Sequence, residues 1–192
     1  MSDNLSRSIA SRLCLLAVAG VTACAGQQQP YDYGPFLQAK PASILVLPPV
    51  SDAPDIKASP GVWAHATRPL AEAGYYVFPV TLVDETFRQN GLTLPAEVHE
   101  VPAPKLREYF GADAAVYIRV LRYGTSYAVL ASETIVEVEA RVVDMRDGRL
   151  LWQGKSRASS AEQQQQAQGG LAGLFILALT KQIVGTVTDA AF

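Results

Sequence analysis

Excess charge of either sign, cysteine pairs and long apolar spans are all missing from this chain. With 16 Lys and Arg against 18 Asp and Glu, the formal net charge is −2. No strongly basic balance is available to neutralise phosphates, so nucleic acid is not an expected partner. The two cysteines, Cys14 and Cys24, are too few for a disulfide framework. His65 and His99 are the two histidines, and a metal site needs three or four converging ligands. No G-x-S-x-G elbow accompanies them, so hydrolase chemistry has no motif behind it. No apolar run reaches the ~20 residues that span a bilayer as a helix. No cofactor, metal or catalytic residue is expected from these absences.

What is present is concentrated at the start. Arg7 and Arg12 form a positive leader, Leu13 to Ala19 an apolar stretch, and Val21-Thr22-Ala23 precede Cys24. This is the charged, apolar, small-residue order of an export signal. Val21 to Cys24 resembles the bacterial lipobox, in which the sulfur is diacylated, the signal is cut before the cysteine, and the new amine is acylated. Each buried CH₂ contributes ~0.8 kcal/mol; one acyl chain holds only marginally, whereas two or three hold in effect permanently. Residues 1–23 are therefore expected to be a lipoprotein signal peptide, and Cys24 the lipidated attachment to the membrane. Cys14 leaves with the signal, and acylation accounts for the unpaired Cys24. Retention at the inner membrane usually needs Asp after the cysteine, and Ala25 stands there. By that resemblance the anchor is at the outer membrane and the body is periplasmic.

Residues 24–41 read as a flexible tether, with Gln27 to Gln29, prolines at 30, 35 and 41, and no apolar period. Residues 42–192 suit one domain of common size. The 49% hydrophobic content is enough for a packed core.

Within that body, Ser43 to Val50 is a short continuous apolar run ended by prolines, as in a strand buried on both faces. Pro60-Gly61 opens a helical pattern with Val62, Ala66, Pro69, Leu70 and Ala73 roughly on one side, and Gly74 stands where a helix ends. "YYVFPV" is the next strand. Thr81 is placed to cap a helix over Leu82 to Gln89, which Asn90-Gly91 ends. Residues 92–100 read as loop, and "APKLREYFGA" as a helix begun by Pro104 and stopped by Gly111. "DAAVYIRVLRYG" and "TIVEVEARVVD" then alternate. They put Val116, Ile118, Val120, Val136, Val138, Ala140 and Val142 inward, and Tyr117, Arg119, Glu137, Glu139 and Arg141 outward. Asp147-Gly148 predicts a hairpin turn into "RLLWQGKSR", giving a three-strand antiparallel meander with one solvated face. Ser160 opens a polar helical stretch. Leu171 to Leu179 is apolar almost all round, as in a helix that buries more than one face, within the domain or against a second copy.

This order, with "ILVLPPV", "AEAGYYVFPV", "LREYFGADAAVYIRVLRYG" and "VVDMRDGRLLWQGKSR" as landmarks, resembles a group of periplasmic domains. It includes the N-terminal domain of TolB, CsgG and LpoB. It is most similar to the lipoprotein family of the neisserial antigen GNA1162, DUF799, and "D-x-R-D-G-x-x-L-W" is the most particular landmark. The resemblance covers residues 15–192. It implies an α/β sandwich with a mixed sheet, parallel in its N-terminal part and a three-strand meander after it. It also implies dimers and a role in envelope assembly or transport. It supplies no active-site residue, and the long membrane-inserting hairpins of CsgG are absent.

Four polar groups remain to be weighed. His65 and His99 read as isolated surface histidines, the second in a loop near Glu97 and Glu100. Glu137 and Glu139 lie two apart on a strand, ~6.5–7 Å, a spacing compatible with acid–base work. A solvated face with Arg141 and neighbouring arginines as cross-strand partners explains them better. Asp52 and Asp55 follow the first strand, where open α/β sheets bind ligands, but without a glycine-rich phosphate loop they read as turn formers. Gln163 to Gln166 reads as a polar helix face or linker. Trp63, Tyr75, Tyr76 and Trp152 read as core or edge packing. The resulting expectation is a non-enzymatic, lipid-anchored scaffold or adaptor that self-associates. The alternative is a small-ligand or peptidoglycan-binding domain with a deep polar pocket near Asp52 and Asp55.

Overall fold

The computed structural model of the chain describes residues 31–128 and 131–159, with the backbone alone at 126–128 and 131–133. The signal, Cys24, the glutamine tract and the apolar run from Leu171 lie outside the described residues. In chain order the elements are α1 (Gly34–Ala39), β1 (Ser43–Val46), β2 (Val50–Ser51), α2 (Ala58–Glu72), β3 (Tyr76–Val77) and α3 (Val80–Gln89). They continue as α4 (Pro95–Glu100), α5 (Ala103–Phe110), β4 (Ala114–Ala128), β5 (Ala131–Asp144) and β6 (Leu150–Ser159).

The strands form one mixed six-stranded sheet in the order β3-β1-β4-β5-β6, with β2 also paired to β4. β1 runs parallel to β3 and β4, and β2 parallel to β4, while β4, β5 and β6 are antiparallel neighbours. This is the expected α/β architecture. β1 shows why its run is continuous instead of alternating. Ile44 and Val46 enter a core on one side of the sheet, and Leu45 and Leu47 enter a second core on the other. Pro48 and Pro49 lack the N–H that a ladder needs, so pairing lapses and resumes at β2.

The first core packs α2 on the sheet through Ala58, Val62, Ala66 and Leu70, a spacing of four that keeps one helix face inward. Val62 and Leu70 each contribute about 1.5–3 kcal/mol by burial. The helix continues through Pro69 to Glu72, and Gly74, at φ +94°, takes the left-handed conformation expected of it. The second core packs Val83 and Phe87 of α3, Val98 of α4, and Ala103 and Leu106 of α5 against Leu45, Leu47, Ala115 and Met145.

Three local expectations need correction. Residues 92–100 are not all loop. Pro95 opens the short helix α4, where a missing N–H costs nothing, and Val98 anchors it in the core. α3 begins at Val80 behind Pro79 with no side-chain cap, so Thr81 lies inside the first turn. The tether expected to run to Pro41 gives way to folded structure at Tyr31. The Tyr31 ring lies tilted against those of Tyr33, at 5.1 Å, and Trp152, at 6.2 Å, and its hydroxyl accepts the Gln153 N–H at 3.0 Å. Phe36 of α1 meets Tyr75 edge-on at 6.3 Å. Glutamine and proline are the visible features of that stretch, but its aromatic rings decide its structure.

The particular landmark of the sequence, Asp144-Met145-Arg146-Asp147-Gly148, is a structural lock. Asp144 is 1% exposed. It accepts the Arg146 backbone N–H at 2.9 Å and Nε–H at 2.8 Å, with Nη2 of Arg146 also on its carboxylate. The same Nη2 donates to the Ala39 carbonyl at 3.3 Å, fastening the end of α1. Gly148 makes the turn at φ +78°.

Candidate functional site

The helices α3 to α5 cover only part of their side of the sheet, and the outward face of the meander is left open beside them. Register assembles this face. Arg119, Glu139 and Lys155 form one row across β4, β5 and β6, and Tyr117, Arg141 and Gln153 form the next. A bulge after Val120 leaves Leu121 unpaired and sets Arg122 opposite Glu137. A groove of about 620 Å³ runs here, lined in part by Tyr31, His99, Tyr117, Arg119, Arg141 and Lys155.

Its ion pairs follow from the rows. Arg119 grips Asp52 with two bonds, Nε to Oδ2 at 2.7 Å and Nη2 to Oδ1 at 2.9 Å. The hydrogen bonds from Arg119, and then its charge, hold the Asp52 carboxyl below the usual range against the opposing effect of burial. Lys155 Nζ lies 2.8 Å from Glu137 and 3.5 Å from Glu139, and Arg122 is 4.0 Å from Glu137. The Lys155 ammonium is raised in pKa, first by its bond to Glu137. The two glutamates are thus spanned by a cation, as the cross-strand reading expects, although only Glu139 is solvated, the Glu137 side chain being 16% exposed. Arg141, expected as their partner, instead lies over the Tyr117 ring, 4.5 Å from its centroid.

Tyr117 and His99 are more buried than the sequence suggested. Tyr117 alternates outward in register, yet it is 7% exposed because α4 packs beside it. His99 lies on α4, not in a loop, and meets Tyr117 edge-on at 5.2 Å. Its Nε2 is 3.0 Å from the Pro48 carbonyl. A carbonyl only accepts, so the neutral ring carries its proton on Nε2. Burial pushes the His99 pKa down, the Pro48 bond opposes this, and the charges of Arg141 and Arg119 add to the lowering.

The remaining candidates stay apart. His65 is half-buried on α2. Among the described residues, no group of three or more His, Cys, Asp or Glu is placed to hold a metal. Asp55 is a turn former as expected, its Oδ1 accepting the Lys57 N–H at 2.8 Å ahead of α2. Asp52 is not one, since it bridges strands to Arg119. Neither aims a free carboxylate into a deep pocket. Trp63 donates its indole N–H to the Val46 carbonyl at 2.9 Å, and Trp152 is 3% exposed, so both pack as expected. Tyr75 is half-buried against Phe36, whereas Tyr76 is exposed. Among the described residues, no helix is long and apolar enough to cross a membrane.

Alternation alone reveals that Tyr117, Arg119, Glu139 and Arg141 face outward. It does not reveal which of them stand side by side, nor that Tyr31 and His99 close the groove from distant segments.

Comparison with known proteins gives concordant results. Residues 31–192 match the family described as "Putative lipoprotein GNA1162-like". A curated relative from Neisseria meningitidis serogroup B, "Putative lipoprotein NMB1124/NMB1162", is 47% identical over 181 residues, covering 94% of this chain and 83% of the relative. The crystal structure of lipoprotein GNA1162 from Neisseria meningitidis superposes with a TM-score of 0.60 at 46% identity, covering 76% of this chain and 99% of that one. The LpoB C-terminal domain from Salmonella enterica gives a TM-score of 0.46 at 16% identity, covering 66% of this chain and 91% of that one. The chain belongs to the GNA1162-like family.

Proposed function

We propose that this member of the GNA1162-like family is a lipid-anchored cell-envelope protein that acts as an adaptor or scaffold without chemistry of its own. Residues 1–23 are its signal peptide and Cys24 its lipidated residue. Residues 24–30 join that residue to the described body, which begins at Tyr31. The anchor lies in the outer membrane and the body in the periplasm, supported by Ala25 in the position after the cysteine. The relatives' names support the lipoprotein part of this reading. Acyl chains at one sulfur, at ~0.8 kcal/mol per buried CH₂, supply the attachment.

The observation that carries the adaptor part is the open face of the meander. Its charged side chains are held by partners across three strands yet remain open to solvent, as on a surface that presents fixed groups to another molecule. Self-association is supported by the sequence of Leu171 to Leu179, apolar almost throughout and too short to span a bilayer.

Membrane fractionation tests this reading. The wild-type protein is expected in the outer-membrane fraction with acyl mass on the peptide that begins at Cys24. Cys24→Ser is expected in the soluble periplasmic fraction. A serine variant that still sediments with membranes, beside a wild-type protein free of lipid mass, refutes the anchor. A strictly monomeric mature protein, recovered from membranes without any protein partner, refutes the adaptor.

A further inference from the structure

In the rows that line the groove, Arg141 stands apart from the other cations. Arg119 is bonded to Asp52, and Lys155 to Glu137 and Glu139. Arg141 makes no ion pair among the described residues. Its guanidinium rests over the Tyr117 ring, which His99 supports edge-on while bonded to Pro48. An aromatic face attracts the positive charge but does not use up the five N–H donors of a guanidinium. Arg141 is therefore placed on a buried platform with donors to spare, the arrangement that suits a forked grip on a carboxylate.

The neighbouring rows add to this. Arg119 and Lys155 stand on the strands either side of Arg141, one row along, so each is a diagonal neighbour at ~7–8 Å. That lies within the Debye length of ~10 Å at 0.1 M salt, but both cations are already paired and Glu139 also lines the groove, so the unpaired Arg141 is the group that an incoming anion would meet. The groove's volume of about 620 Å³ falls within the ~300–1,000 Å³ usual for ligand sites. Two other occupants fit less well. A sugar ring stacked at the floor of the groove needs an open aromatic face, and that of Tyr117 is taken by Arg141, which leaves only Tyr31 among the lining tyrosines. Strand addition along the start of β6 would meet the Gln153 N–H already bonded to Tyr31. The unpaired guanidinium favours recognition by side chains.

We infer that this groove docks an acidic peptide segment of a partner protein, with Arg141 gripping a carboxylate beside Arg119 and Lys155. The inference rests on the adaptor reading above and names the chemistry of the partner.

The test is fluorescence anisotropy of a labelled hexaglutamate peptide against the full-length protein solubilised in neutral detergent, at low and high salt. Saturable, salt-sensitive binding is expected, with hexaglutamine inert. Arg141→Gln is expected to weaken it about tenfold, equivalent to about 1.4 kcal/mol, and Arg141→Lys to fall between. Arg68→Gln, on the exposed side of α2, should bind as the wild type does. Equal binding by Arg141→Gln, or an equal loss in Arg68→Gln, overturns the inference. So does displacement of the peptide by inorganic phosphate or phosphatidylglycerol vesicles at matched charge, which marks a general anion surface. Because binding is read on solubilised protein, its failure leaves the fractionation result standing, and the converse also holds.

Discussion

Asp144 offers a direct test of how the body is held together, because one nearly inaccessible carboxylate organises a turn and the end of α1. Asp144→Ala removes the acceptor of the Arg146 N–H and Nε–H bonds and releases the guanidinium that reaches Ala39. A hydrogen bond involving a charged group is worth about 1.5–3 kcal/mol. The arginine is free to hydrate once released, so the loss is set by the buried side and comes to about 2–3 kcal/mol. At about 2–4 °C per kcal/mol for a protein of this size, the melting temperature should fall by about 5–10 °C. Asp144→Asn keeps an acceptor and should lose less.

Acid supplies the second half of that test. The bonds from Arg146 hold the Asp144 carboxyl below its ordinary value, so the unfolded chain binds this proton more readily than the folded one. The stabilisation is complete above about pH 4, the unfolded value, and is lost as the pH falls through the lower folded value. Thermal melts of wild type and Asp144→Ala should therefore diverge at neutral pH and converge in acid. A variant that melts within about 1 °C of wild type at neutral pH, a difference below about 0.5 kcal/mol, refutes the lock.

Two further perturbations read other parts of the body. A Cβ at Gly154 would lie 2.5 Å from Trp152 Cζ2 and 2.6 Å from Cη2. Gly154→Ala should therefore destabilise by about 1–3 kcal/mol and shift the tryptophan emission; an unchanged chemical melt shows that the ring moves freely. His99 has its folded pKa depressed below ~6.5, so the stability it contributes is present above that value. It is lost as the pH falls below it, until the ring protonates in the folded state. Imidazole NMR should give a His99 midpoint below 6.5, and His99→Phe should flatten the stability profile between pH 7 and 5; a midpoint at or above ~6.5 contradicts the burial account.

Much of this architecture is legible in sequence because local pattern and burial agree. The three apolar residues of β1, the four-residue spacing in α2, the alternation in β4 and β5 and the glycines at 74, 91, 111 and 148 each prescribe their element. Where expectation failed, a distant contact outweighed a local cue. Tyr31, Tyr33 and Phe36 fold a stretch whose glutamines and prolines resemble linker, and Val98 draws a nominal loop into the second core as α4.

The candidate site divides in the same way. Sequence alone determined the outward phase of Tyr117, Arg119, Glu139 and Arg141, since this depends on residue type and a period of two, and the proposed export signal and lipidation at Cys24 rest on sequence alone as well. Only the tertiary structure decided that Lys155 spans the glutamates, that Asp52 belongs to Arg119, and that Arg141 lies on Tyr117 with His99 behind it. Those pairings depend on strand register and on where α4 docks. Both are set by burying apolar surface far along the chain from the charges they bring together.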